Sequence, residues 1–312
     1  VPGHAAGLVS VSVTQNGQQY VGVLYFEYED TAPHTIAPRT GPVRGGTEVI
    51  LRGSGLVRGS GSQGAFCKFA GLDVMGASFD GEGTVRCVSP TARRAGYVAV
   101  MLVQGDAVLP VSLSFEYHAD MVVERVEPSV GLLAGGTIVT VTGSGFSESV
   151  EHVVRVGLRE VVLAKVLSPT MLECTTPSQL HPGHLPIEVS RNRQDFTRDE
   201  VLLEYQALAR LDEIAPSRGP SSGGTLVAIT GAGFSRRSAS LAYTQVRFNT
   251  TRVPAVWESA SELRVVVPGH AAGLVSVSVT QNGQQYVGVL YFEYEDTAPH
   301  TIAPRTGPVR GG

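Results

Sequence analysis

Residues with chemistry to offer are sparse in this chain of 312 residues, and they do not gather in the sequence. The three cysteines are Cys67, Cys87 and Cys174. None forms a Cys-x-x-Cys pair, so neither a zinc knuckle nor a dithiol redox motif is indicated. His181 and His184 form a His-x-x-His, which can bring two imidazoles to a metal. They belong to Leu180-His181-Pro182-Gly183-His184, a Pro-Gly turn with no cysteine or carboxylate beside it, and His270 lies in a similar turn. All three read as turn residues. Gly53/Gly55, Gly143/Gly145 and Gly231/Gly233 each spell Gly-x-Gly. A dinucleotide fingerprint would continue to a third glycine and a helix. None does, so these mark a scaffold turn that uses the backbone freedom of glycine. No nucleophile elbow is present, and no carboxylate pair or Ser/His/Asp set recurs. Catalytic residues, cofactors and metal ligands are therefore not expected. Arg93-Arg94 and Arg236-Arg237 are isolated pairs that read as solvated surface. Asn249-Thr250-Thr251 is an N-glycosylation sequon, relevant if the chain is secreted.

The elements that would carry these residues are short strands. Gly (37) and Pro (18) are abundant, charged residues are few, and the rest is rich in Val, Ser and Thr, as in an all-β protein with many turns. Net charge is −4 with no Lys/Arg stripe, which argues against a nucleic-acid partner. No apolar run is long enough to span a bilayer as a helix. Val1 opens inside a patterned segment, so the natural N-terminus is expected upstream.

Repeats appear at two levels. Residues 1–46 recur without change as residues 267–312. Within that long period lies a shorter one: Ile36-Ala37-Pro38…Gly45-Gly46-Thr47, Val126-Glu127-Pro128…Gly135-Gly136-Thr137 and Ile214-Ala215-Pro216…Gly223-Gly224-Thr225. A fourth copy begins at Ile302-Ala303-Pro304. The prolines are spaced 90, 88 and 88 residues apart, which together equal the 266-residue offset of the long repeat. The chain thus reads as a unit of three domains plus parts of its neighbours. Expected boundaries are 1–30 (the end of one domain), 31–119 (domain 1), 120–207 (domain 2), 208–296 (domain 3) and 297–312 (the start of another).

In each unit Gly-Gly-Thr precedes an alternating pair: Val49/Leu51, Val139/Val141 or Val227/Ile229. Later a glycine (Gly96, Gly183, Gly273) leads a second alternating run. The unit closes on Phe115-Glu116-Tyr117, Leu203-Glu204-Tyr205 or Phe292-Glu293-Tyr294, with the glutamate on the outer face. Asn282-Gly283, and its twin Asn16-Gly17, is a two-residue hairpin signal. About seven strands in under 90 residues make a two-sheet sandwich. Short linkers, often with proline, predict a semi-rigid rod of sandwiches end to end.

The run Pro…Gly…Gly-Gly-Thr-x-Val-x-Val-x-Gly-x-Gly-Phe resembles the IPT/TIG domain, an immunoglobulin-like sandwich. Cys67-Lys68-Phe69, Val154-Arg155-Val156 and Val246-Arg247-Phe248 resemble its central strand. Cys87-Val88-Ser89-Pro90 and Cys174-Thr175-Thr176-Pro177 resemble its Cys-x-x-Pro segment. The resemblance covers essentially the whole chain. It implies a non-catalytic binding or scaffold role, in settings that include plexin-like and fibrocystin-like surface proteins, accessory domains of secreted enzymes and DNA-binding transcription factors. It also implies that Cys67 and Cys87 face each other across the core. A disulfide there would contribute roughly 3 kcal/mol, and the alternative is two buried thiols. Cys174 has Val154 in the partner position and is expected as a buried, inert thiol. The expected location is extracellular or at the cell surface, with an N-linked glycan on Asn249. The expected role is structural: a subunit of a filament, stalk or surface fibre that continues or self-associates into a longer array. A ligand-binding or adhesive ectodomain is the alternative, favoured by the insertion Val57–Ala65. An accessory domain of a polysaccharide-active enzyme would have only Trp257 for sugar stacking.

Overall fold

A computed structural model describes residues 7–28, 32–54, 56, 65–80, 83–104, 107–109 and 113–296. Residues 57–64 of the domain 1 insertion and the segment 297–312 lie outside the described residues. Among the described residues the regular structure is strand, apart from one helical turn at Arg236–Ser240.

Alternation of apolar and polar residues fixes which face of each strand turns inward. In domain 3 one sheet orders Arg210–Ala215, Leu226–Ala232, Glu262–Val266 and Val256–Ser259, all antiparallel. The other orders Arg218–Pro220, Tyr286–Glu295, Gly273–Thr280, Gln245–Phe248 and Thr251–Pro254, with the first pair parallel. Domains 1 and 2 repeat this plan with one difference. There a single strand, Val74–Phe79 or Glu160–Ser168, pairs first with one sheet and then with the other. In domain 3 the crossing strand breaks at Ala255, directly after Pro254, whose missing N–H cannot continue a ladder.

The inner faces close three separate cores. Val49, Leu51, Val139, Val141, Val227 and Ile229 are all fully buried, each contributing about 1.5–3 kcal/mol over exposure. The Phe and Tyr of the closing strands are buried beside them. Each tyrosine hydroxyl donates to a proline carbonyl: Tyr117 to Pro90 at 2.8 Å, Tyr205 to Pro177 at 3.0 Å and Tyr294 to Pro268 at 2.7 Å. Burial pushes the Tyr117 and Tyr205 phenols up to about 12.

That proline segment also holds the Gly-Gly-Thr turn. Gly45, Gly135 and Gly223 have φ of 73°, 74° and 77°. A Cβ on any of them would lie 2.5–2.7 Å from the proline segment's backbone, so glycine is required for both reasons. The turn is tied down by Gly46 N–H to Ser89 O, Gly136 N–H to Thr176 O and Gly224 N–H to Val267 O, each 2.9 Å.

Cys67 and Cys87 are bonded across the core of domain 1, with Cα atoms 6.2 Å apart. Cys174 is buried and unbonded in domain 2, and burial raises its thiol pKa to about 12. Residues 7–28, identical in sequence to 273–294, form a two-stranded hairpin in which Gly7–Thr14 and Tyr20–Tyr28 pair with each other.

Candidate functional site: the joints between domains

Among the described residues, polar side chains of neighbouring domains meet in two regions, the joint between domains 1 and 2 and the joint between domains 2 and 3. The socket of each joint is the Gly-Gly-Thr turn. Pairing between the first two strands of domain 1 ends at Ala37↔Ile50, which leaves the outward N–H and C=O of Glu48 without a neighbouring strand. Domain 2 ends the same way at Glu127↔Thr140, exposing the amide edge of Ile138.

The other half of each joint is a hairpin tip from the following domain. Gln194 of domain 2 accepts from Glu48 N–H at 2.6 Å and donates to Glu48 O at 3.2 Å. Gln284 of domain 3 accepts from Ile138 N–H at 3.0 Å and donates to Ile138 O at 2.7 Å. One side-chain amide thereby substitutes for the missing strand residue. The threonine hydroxyls complete the contact: Thr47 donates to Asp195 at 2.7 Å, and Thr137 to Gln285 at 2.8 Å. Both threonines are fully buried, whereas Thr225 in domain 3 is half-buried. In the second joint the tip packs against the second glycine of the turn. At Gly136 an added Cβ would lie 3.4 Å from Gln285 Nε2.

The tips hold their own shape. Asn192 Oδ1 accepts from the N–H groups of Gln194 (3.0 Å) and Asp195 (2.8 Å). Asn282 Oδ1 accepts from Gln284 (3.1 Å) and Gln285 (3.0 Å). The undocked twin has the same bonds, from Gln18 (3.0 Å) and Gln19 (2.9 Å) to Asn16. The tip is thus organised before it docks, which lowers the entropy cost of docking. Docking changes its environment: Asn16 is exposed, while Asn282 is 2% exposed.

This corrects the reading of Asn282-Gly283 as the centre of a two-residue turn. The last pairs are Thr280↔Tyr286 and Thr14↔Tyr20, so each loop has five residues. The asparagine side chain stabilises the longer loop by capping two of its N–H groups. Domain 1 differs, since there Gln104 pairs with Ala107.

Charged groups surround the first joint. Arg191 reaches Glu116 at 3.3 Å, and its side chain is 5% exposed. Arg44 pairs with Asp120 at 2.7 Å, and Asn192 donates to Thr40 O at 2.9 Å. His118 closes domain 1 and His152 opens the central strand of domain 2. Both are buried, and burial is the main cause that lowers each imidazole pKa. The second joint keeps a glutamate, Glu204, in the place of Glu116 but has neutral groups at the other matching positions. Gln206 donates to Ser235 Oγ at 2.9 Å and accepts from Ser238 Oγ at 3.1 Å, and Tyr243 Oη accepts from Ser129 N–H at 3.3 Å. Arg237 contacts Glu204 at 3.0 Å, so one of the arginines read as surface belongs to this joint.

Of the residues singled out in the sequence, the glycine pairs 45/46 and 135/136 lie in the sockets. Cys67, Cys87 and Cys174 lie away from the joints, in domain cores. Asn249 sits in the turn between Gln245–Phe248 and Thr251–Pro254, exposed, with φ 52°. His181 is in a bend, and His184 faces Glu204 across a strand pair at 3.7 Å. Among the described residues no group of three or more His, Cys, Asp or Glu could hold a metal, and no helix is long and apolar enough to cross a membrane. Sequence reasoning missed Asn192, Gln194 and Gln284, and gave Asn282 a turn but no contact with another domain. Their signal was present: Asn-x-Gln falls at one distance from Gly183 and from Gly273.

Among known proteins, the family model described as IPT/TIG domain matches residues 33–117, 121–205 and 209–294. Fibrocystin-L of Mus musculus is 25% identical over 323 residues, covering 98% of this chain and 7% of the relative. Plexin-A2 of Homo sapiens is 29% identical over 188 residues, covering 56% of this chain and 9% of the relative. The chain therefore spans less than a tenth of the length of either. A solved structure of the plexin A4 full extracellular region aligns over 78% of this chain and 21% of that one, at 22% identity and a TM-score of 0.39.

Proposed function

This chain belongs to the IPT/TIG domain family, and from that premise we propose that it is a non-catalytic stretch of an extracellular array. In this reading it forms a structural subunit of a filament, stalk or cell-surface fibre whose repeating unit is three IPT domains, bounded at 31–119, 120–207 and 208–296. The observation that carries the proposal is the recurrence of one joint. The same Gln-to-backbone and Thr-to-tip bonds form between domains 1 and 2 and between domains 2 and 3. A contact made twice by the same rule extends naturally to a rod, with approximately nearest-neighbour stability. The recurrence of residues 1–46 as residues 267–312 supports a repeating unit of three domains.

Electron microscopy of the native material tests this. With roughly 35–45 Å per sandwich, a beaded rod with a period on the order of 120 Å is expected. Globular particles without that period would reject the filament. The alternative reading is a ligand-binding or adhesive ectodomain, and the relatives of plexin type favour it. Under either reading an N-linked glycan on Asn249 is proposed, because the sequon occupies an exposed turn. Release by an N-glycanase should lower the mass of the secreted protein, and Asn249→Gln should abolish that change.

A further inference from the structure

The two joints share a scaffold but differ in which of their groups can take up a proton. We propose that the joint between domains 1 and 2 is an acid-released latch: protonation of His118 and His152 beside Arg191 undocks the Asn192 tip from the Thr47 turn, while the joint between domains 2 and 3 holds. The inference does not depend on whether the array forms a fibre.

The geometry comes first. His118 is the last residue of its strand, 5% exposed, and its Nδ1 lies 2.8 Å from Ala119 O. Its own carbonyl accepts from Val43 N–H beside the socket. His152 is fully buried against the Phe146 ring. Its Nδ1 lies 3.0 Å from Val150 O, and its Nε2 lies 3.4 Å from Ser147 N–H. With Nδ1–H donating, Nε2 must accept, so the imidazole is neutral in this arrangement. A proton on Nε2 would set one N–H against another and disturb the 147–152 loop.

The charges on every side point the same way. Arg191, on the docked hairpin, opposes a positive charge on either imidazole, and His118 opposes one on His152. Glu116 and Asp120 favour a charge on His118, but each already has an arginine partner, Arg191 and Arg44. Glu151 is paired with Arg193 at 2.8 Å. Desolvation outweighs the attraction, and both imidazoles titrate below their ordinary value. The buried arrangement with both imidazoles neutral is therefore stable above the ordinary histidine range, and that stability is lost as pH falls through the lowered values. At the second joint the residues matching His118, His152 and Arg191 are Gln206, Thr244 and Gln281, none of which titrates. The charged groups there are Glu204 with Arg237 at 3.0 Å, and His184, 3.7 Å from that carboxylate, is half exposed rather than buried.

The test reads two backbone amides in the full chain. Glu48 N–H is bonded to Gln194 and Ile138 N–H to Gln284, so hydrogen exchange at each reports one joint. After correction for the intrinsic pH dependence of exchange, Glu48 protection is expected to fall on the order of tenfold between pH 7.5 and 5.5, the scale set by imidazoles held neutral. Ile138 protection should not change. His118→Gln with His152→Thr, which installs the second joint's residues, should abolish the fall. If that double variant does not fold, Arg191→Gln serves, and should shrink the fall by removing the opposing charge. The proposal is overturned if neither amide responds, if both respond alike, or if the core amides of Val49 and Leu51 open in step with Glu48. It is also overturned if the variants leave the response intact.

Discussion

The joint between domains 1 and 2 and the joint between domains 2 and 3 solve one problem with different chemistry. In both, an Asn-organised hairpin tip supplies a Gln amide to an unpaired strand edge. Around that shared centre the first joint is ionic, with Arg191, Glu116, Arg44, Asp120 and Asp195, and the second is largely amide and hydroxyl, with Gln206, Ser235, Ser238, Gln281 and Gln285. The difference teaches that docking geometry resides in the backbone edge and the tip. The surrounding side chains are free to set how the joint responds to its surroundings.

If that division is right, substitutions at the centre should act equally and substitutions around it unequally. The largest effect is expected from Asn192→Ala and Asn282→Ala. Each leaves two tip N–H groups without an acceptor and should weaken its own joint by about 3 kcal/mol, read as lost protection at Glu48 or Ile138. Unequal losses at the two joints would break the comparison. Next come the glutamates. Glu116→Gln strands the buried Arg191 charge and should weaken the first joint by about 2–3 kcal/mol. Glu204→Gln removes a partner from Arg237, which is half exposed, and should cost the second joint less than about 1 kcal/mol. Amide exchange in each variant checks the asymmetry. The smallest effect is expected from Gln194→Leu and Gln284→Leu. These return one N–H and one C=O to water and should cost about 1–2 kcal/mol each, alike at both joints.

Much of the fold was legible before any coordinates. Period-two runs such as Val139/Val141 and Leu185/Ile187/Val189 fix strand faces, and a threefold recurrence of Pro, Gly-Gly-Thr and an apolar residue before Glu-Tyr fixes the unit. Alternation has a local cause, the pleat, so it is readable locally. The joints were less legible. Asn-x-Gln is polar and short, and its partners lie about a domain and a half away in sequence, where no periodicity points. Thr47 and Gly136 could be assigned to a turn, but not to a contact with another domain's side chain. The tip was misread for a related reason. Asn-Gly favours a two-residue turn through its backbone preference, and only the side-chain bonds to Gln284 and Gln285 reveal the wider loop. The break at Pro254 was equally open to view, because proline's missing donor is a property of the residue itself.

The central claim is that these tips hold neighbouring domains at a fixed angle. Pulsed electron spin resonance between labels on Ser78→Cys in domain 1 and Ala260→Cys in domain 3 measures this across both joints at once. Both positions are exposed, and the native cysteines are either bonded or buried. The account expects one narrow distance distribution at neutral pH, and a broad one when Asn192→Ala and Asn282→Ala are combined. A broad distribution in the parent chain, or a narrow one that survives both substitutions, would contradict it.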